Sequence, residues 1–149
     1  MERLEYYEGD GAVEKYAEVG REGLRPVERR LLDEYVDDDG GRVLDLGCGS
    51  GRVTAPLAER GFDVVGVDVS ETMIEVAEAL HPGVEFRVGD ATELSFPTES
   101  FDYVLFAGRG IDDVRPAAGR MRAILESWRV LKPGGLFAFD ANNQLSRFV

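Results

Sequence analysis

A chain of 149 residues, 44% of them apolar, is long enough to bury one hydrophobic core and too short for several domains. Its formal charge of −12, from 29 acids against 15 Arg and 2 Lys, disfavours nucleic acid and anionic lipid as partners. Its longest apolar runs, such as Tyr103–Ala107, fall far short of the ~20 residues of a membrane span, and a lone Cys48 excludes an internal disulfide.

Residues 1–23 are polar and weakly patterned, and read as a partly helical lead-in or lid carrying Tyr16. The acidic start MERLEYYEGD is no signal peptide, so a cytoplasmic location is the simplest reading. Leu24–Val36 is the first firm helix, with Pro26 in its first turn and Val27, Leu31, Leu32 and Tyr35 at helical spacing. Arg42–Leu46 then forms a short strand that opens into the glycine loop Gly47–Gly51. A helix over Val53–Arg60 follows, closed by Gly61. Phe62–Val67 is a second strand. Ser70 caps a helix over Glu71–Leu80, with Met73, Ile74, Ala77 and Leu80 on one side. Val84–Val88 and Phe101–Ala107 are strands three and four. A long loop, Gly108–Pro116, leads to a helix over about Ala117–Leu131, whose Ile124, Leu125, Trp128 and Leu131 read as core. Lys132-Pro133-Gly134-Gly135 is a turn, and Leu136–Asp140 is strand five.

Strands that alternate with helices form right-handed βαβ units and a doubly wound parallel sheet. Ligands in such sheets sit beyond the carboxyl ends of the strands, where the strand order reverses. The glycine loop and the acids at the strand ends all fall on that edge.

Val43-Leu44-Asp45-Leu46-Gly47-Cys48-Gly49-Ser50-Gly51 follows a strand and opens a helix, the context that a nucleotide-binding glycine loop requires. An ordinary strand-to-helix turn is the plain alternative. Asp68 ends strand two about 20 residues later, where a carboxylate can accept two hydrogen bonds from ribose hydroxyls; a turn acid is the alternative. Asp90, in Val88-Gly89-Asp90-Ala91, ends strand three, where an acceptor can take an adenine amino group.

Asp45-Leu46-Gly47-Cys48-Gly49-Ser50-Gly51 resembles the first motif of the Rossmann-like S-adenosylmethionine-dependent methyltransferases. Asp68 matches that family's ribose acid, and Gly89-Asp90-Ala91 its motif beside adenine. Phe101-Asp102-Tyr103-Val104-Leu105 resembles the fourth-strand motif, and Val130-Leu131-Lys132-Pro133-Gly134-Gly135-Leu136 the turn into strand five. The resemblance covers roughly residues 24–140. It implies a three-layer α/β/α sheet of order 3-2-1-4-5 and S-adenosylmethionine as cofactor. The implied cofactor-binding residues are Asp45, Gly47, Cys48, Gly49, Gly51, Asp68, Val69, Met73, Asp90, Ala91, Phe106 and Ala107. No catalytic residue and no metal site is implied. The loop chemistry agrees. A dinucleotide enzyme needs pyrophosphate at a G-x-G-x-x-G loop, but here the spacing is G-x-G-x-G with Asp45 two residues before it. That acid suits an ammonium and a sulfonium and repels a pyrophosphate.

Other residues carry weaker expectations. Arg25 meets the cofactor carboxylate or, the better reading, is simply exposed. Tyr16 packs or forms part of a lid, His81 is a solvated surface residue, and Cys48 is a small loop side chain. Asp112 and Asp113, after strand four, bind a cationic acceptor or are solvated. Phe106-Ala107-Gly108-Arg109 lacks the Asn/Asp-Pro-Pro-Tyr signature of enzymes that methylate planar amino groups, which argues against an adenine target. The acid-rich, Lys-poor composition resembles proteins of salt-loving organisms, in which exposed charge says little about substrate.

The expected activity is methyl transfer to a small-molecule acceptor by in-line displacement. The alternative is a cofactor-binding domain that needs a partner or a further C-terminal segment. Family sheets continue past strand five with a helix and an antiparallel pair of strands, whereas this sequence ends soon after Asp140. The exposed edge of strand five then invites a homodimer or a partner protein that completes the sheet, unless the chain is a fragment.

Overall fold

The computed structural model describes residues 11–37 and 40–142. Two helices lead, α1 (Ala12–Arg21) and α2 (Pro26–Tyr35). Then come β1 (Arg42–Leu46), α3 (Thr54–Glu59), β2 (Asp63–Asp68), α4 (Glu71–Leu80), β3 (Glu85–Val88) and β4 (Phe101–Phe106). A short α5 (Gly110–Asp113), α6 (Ala118–Val130) and β5 (Leu131–Phe139) complete the order. The sheet runs β3-β2-β1-β4-β5 and every pairing is parallel. This is the expected Rossmann-like order, with the reversal between β1 and β4. No antiparallel C-terminal strand occurs among the described residues.

β1 lies at the centre, and its alternation sets the layers. Leu44 and Leu46 join Val65, Val67, Val104 and Phe106 beneath α6. Val43 points the other way, into Leu32 of α2 and Leu57 of α3. α4 seats Ile74 and Ala77 on Phe86, and the Phe86 ring covers the bare Gly66, where a Cβ would stand 2.7 Å from it. α1 is the outermost layer. It reaches the body at Gly20, where a Cβ would meet Leu80 and the Ser50 carbonyl, each at 2.7 Å.

Several expectations need correction. Trp128 and Leu125 are not core: they are 75% and 57% exposed, and α6 buries Ala123, Ser127 and Val130 instead. Of the four large residues expected in the core, Ile124 and Leu131 pack partly buried against it, while Leu125 and Trp128 face water and small residues lie closest to the sheet. Val27 and Tyr35 are likewise exposed, so α2 buries mainly Leu32. The loop after β4 contains α5. β5 starts at Leu131, not Leu136. Leu131 pairs with Phe101 and Leu136 with Tyr103, so Lys132–Gly135 bulges out of the strand, with Gly134 in the left-handed region.

Candidate functional site

The carboxyl ends of β1, β2, β3 and β4 open into a cleft of about 1130 Å³. Its floor is the glycine loop. Gly47 has φ +62, and a Cβ there would stand 2.9 Å from the Phe106 ring, so the turn is closed to any larger residue. Gly49 has φ +53, and a Cβ there would meet no protein atom within 4 Å. Its bare face looks into the cleft. Gly51, φ +86, faces inward, onto His81 and Phe86, and does not line the cleft. The other eleven expected cofactor-binding residues all line it.

Asp68 fixes the loop as well as facing the cleft. Its Oδ2 accepts a hydrogen bond from Gly49 N at 2.9 Å and its Oδ1 one from Ser70 N at 2.9 Å. Burial raises its pKa against those two bonds. Asp45 is 1% exposed, and its Oδ2 accepts from Thr54 Oγ1 at 2.6 Å. Burial pushes its carboxyl up to about 7, although the Thr54 bond and the Arg52 charge pull it down. Burial, with Asp45 and Asp68 nearby, also pushes the Cys48 thiol well up, so Cys48 is an inert wall. Asp90 Oδ1 accepts hydrogen bonds from Thr92 N and Thr92 Oγ1, an Asx-type turn, and Asp90 lines the cleft.

The N-terminal helices are bound to this floor. Ser50 Oγ donates to the Tyr16 carbonyl at 2.7 Å, and Tyr16 is buried while also lining the cleft. Arg52 donates to both Glu28 oxygens, at 2.6 and 2.7 Å, and to the Gly23 carbonyl at 3.1 Å. The Arg25 backbone N–H closes the group on Glu28 at 2.8 Å. Sequence reasoning passed over Ser50, Arg52 and Glu28, since nothing in their spacing announces contacts 24 to 34 residues apart. Arg25 is exposed at the cleft rim. His81 is not the solvated residue expected: it is half-buried against Phe86, and its Nε2 is enclosed without a hydrogen-bond partner. Asp112 accepts the Asn142 N–H, and Asp113 lies at the rim.

The residues suit S-adenosylmethionine. The cleft has room for a nucleoside with an amino-acid arm, Gly49 offers a bare approach, and three acids line the cleft around the loop without a salt-bridge partner. A sequence model described as the methyltransferase domain matches residues 43–135. The chain belongs to the methyltransferase domain family. Similar curated proteins include a nocamycin O-methyltransferase from Saccharothrix syringae, 45% identical over 97 residues, covering 60% of this chain and 35% of that one. A demethylmenaquinone methyltransferase from Renibacterium salmoninarum is 40% identical over 110 residues, covering 72% of this chain and 44% of that one. A solved S-adenosylmethionine-dependent methyltransferase from Methanosarcina mazei superposes with a TM-score of 0.68 at 34% identity, covering 78% of this chain and 57% of that one. This methyltransferase domain thus spans less than half the length of these two curated relatives. Its family cofactor is S-adenosylmethionine. No helix among the described residues is long and apolar enough to cross a membrane.

Proposed function

We propose that this chain transfers a methyl group from S-adenosylmethionine to a small-molecule acceptor. The observation that carries the reading is the bare Gly49 face at the mouth of β1, flanked by Asp45 and Asp68 in one cleft. In this reading Asp68 holds the ribose hydroxyls, Asp90 and Ala91 the adenine edge, and the acids around the glycine loop the cationic arm. Val69 and Met73 pack on one side of the nucleoside, and Phe106 and Ala107 border the methyl group. When bound, the cofactor supplies a methyl on an already activated sulfonium. The chain's part is positioning and exclusion of water. α1 supports the second task as a lid, since Tyr16 is fixed over the loop by Ser50.

The acceptor class follows the relatives, one of which is named an O-methyltransferase and another a demethylmenaquinone methyltransferase. Calorimetric titration with S-adenosylmethionine, S-adenosylhomocysteine and NAD tests the reading. Micromolar binding of the first two and none of NAD is expected; the reverse overturns it.

A second reading is a cofactor-binding domain that needs a partner for turnover. The outer side of β5, unpaired among the described residues, with Phe139 49% exposed and stacked on Phe137 at 5.2 Å, favours it. A homodimer through that edge is the form we propose. Light scattering over a wide concentration range should show mass doubling, and an unchanged monomer mass counts against it. A free, buried Cys48 fits a cytoplasmic setting.

A further inference from the structure

The cleft is lined by charges of both signs. Asp45, Asp68 and Asp90 stand at the ends of β1, β2 and β3, and no lysine or arginine comes from those strand ends. The basic lining residues are Arg25 before α2, Arg52 after the glycine loop and Arg115 at the end of the loop after α5, and Asp113 lines the cleft beside the last. Arg52 is neutralised by Glu28. Its Nη2 is 3.7 Å from where a Gly108 Cβ would stand, so the Arg25–Glu28–Arg52 group abuts the loop after β4.

Arg25 and Arg115 are different. Among the described residues seven basic side chains are tied to carboxylates, and Arg21, Arg29, Arg109, Arg120 and Arg122, which are not, lie outside the cleft lining. Arg25 and Arg115 are exposed at the cleft and make no salt bridge, in a chain of net charge −12 in which carboxylates are abundant. Val19, Ala107 and Val114 add apolar lining to the same cleft. The only histidine, His81, lies behind Gly51 and outside the cleft, so no imidazole is at hand to deprotonate an acceptor.

We propose that the methyl acceptor is a small, partly apolar anion (a carboxylate, or a hydroxyl acidic enough to be ionised at neutral pH) held by Arg25 and Arg115. The inference rests on the methyl-transfer reading of the cleft and narrows it to a substrate class. The anionic oxygen forms a bond to the methyl carbon as the carbon–sulfur bond breaks, and that electron pair stays on sulfur. The oxygen's negative charge and the sulfonium's positive charge cancel, and no proton moves. Such an acceptor needs no general base. Two guanidiniums favour the ground-state anion over its neutral isostere and over any amine.

The test uses the full chain saturated with S-adenosylhomocysteine, titrated calorimetrically with 2-naphthoate and with 2-naphthamide at low salt. Naphthoate should bind roughly tenfold more tightly, two exposed ion pairs each being worth about three- to fivefold. R25Q and R115Q should each remove about three- to fivefold of that preference and leave naphthamide unchanged. Equal binding of the two ligands, undetectable naphthoate binding, or a preference that survives both substitutions overturns the proposal. An R25Q variant that loses affinity for S-adenosylhomocysteine instead of naphthoate overturns the Arg25 assignment, because the side chain then serves the cofactor carboxylate. Failure of S-adenosylhomocysteine itself to bind the unaltered chain is read in the first titration, and overturns the methyl-transfer reading rather than the anion preference.

Discussion

Arg52 grips Glu28 by both carboxylate oxygens, at 2.6 and 2.7 Å, with side chains only 9% and 14% exposed. This pair joins the first turn of α2 to the residue just after the glycine loop and so ties that helix to the cleft floor. Burial raises the Glu28 pKa, but the Arg52 hydrogen bonds and charge and the Arg25 N–H outweigh it, and the net shift is downward.

Removing one partner leaves the other buried without its counter-charge. Arg52→Leu should therefore lower unfolding free energy by about 3 kcal/mol in urea titration. A lowered folded-state pKa means that the Glu28 contribution is present above the carboxyl's unfolded value and is lost as pH falls through the folded one. The difference between the wild type and Glu28→Gln should thus shrink in acid. An equal difference at pH 7 and in strong acid would show that the pair contributes only packing.

Asp45 behaves in the opposite sense. Its folded pKa of about 7 lies above the ordinary aspartate value of 3.8, so the folded state holds the proton more tightly. Its contribution to stability falls as pH rises from about 4 to 7, and Asp45→Asn should flatten that slope in pH-dependent melting. Cofactor affinity should run the other way. A cation prefers the ionised carboxyl, so binding of S-adenosylmethionine should strengthen between pH 6 and 8 in the wild type and stay level in Asp45→Asn. Parallel pH profiles for the two proteins would remove Asp45 from the cationic-arm assignment.

Asp68→Asn keeps the size of the side chain but places an NH₂ against Gly49 N or Ser70 N, both donors. The loss of a charged acceptor costs about 1.5–3 kcal/mol. S-adenosylhomocysteine affinity should drop roughly ten- to hundredfold. Unchanged affinity would sink the ribose assignment.

The glycines of the loop separate cofactor from fold. Gly49→Ala meets no protein atom and should lose only the ~1–2 kcal/mol of a left-handed alanine, yet its methyl points at the cleft and should abolish cofactor binding. Gly51→Ala carries the same backbone penalty and also drives a Cβ to 2.7 Å from His81 and 2.9 Å from Phe86, so it should melt well below Gly49→Ala. A Gly49→Ala protein that binds S-adenosylhomocysteine normally would mean that the ligand lies elsewhere.

Much of the site was legible because its residues are neighbours in sequence or end adjacent strands. Asp45 near the end of β1 leads directly into Gly47 and Gly49, Asp68 ends β2 and Asp90 follows β3, so alternation of strand and helix brings them to one edge. Gly51 was legible as a loop glycine but not as one that faces the protein, since φ alone does not tell which side a missing Cβ opens to. The α6 face was misread because Trp128 and Leu125 are large and apolar, while Ala123 and Ser127 are what closeness to the sheet admits. Ser127 fits there because its Oγ donates to the Ala123 carbonyl at 2.7 Å.

By itself the sequence determined the βαβ alternation, the sheet order carried by the motif resemblance, and the acids around the glycine loop. These depend on periodicity and local turn chemistry, which short stretches of chain fully encode. Only the tertiary structure decided that Arg52 meets Glu28, that Ser50 holds Tyr16, and that Arg25 and Arg115 line one cleft without a salt-bridge partner. Such contacts join residues tens of positions apart. Their geometry is set by how helices dock on the sheet, which depends on side-chain volume and burial across the whole core rather than on any local pattern.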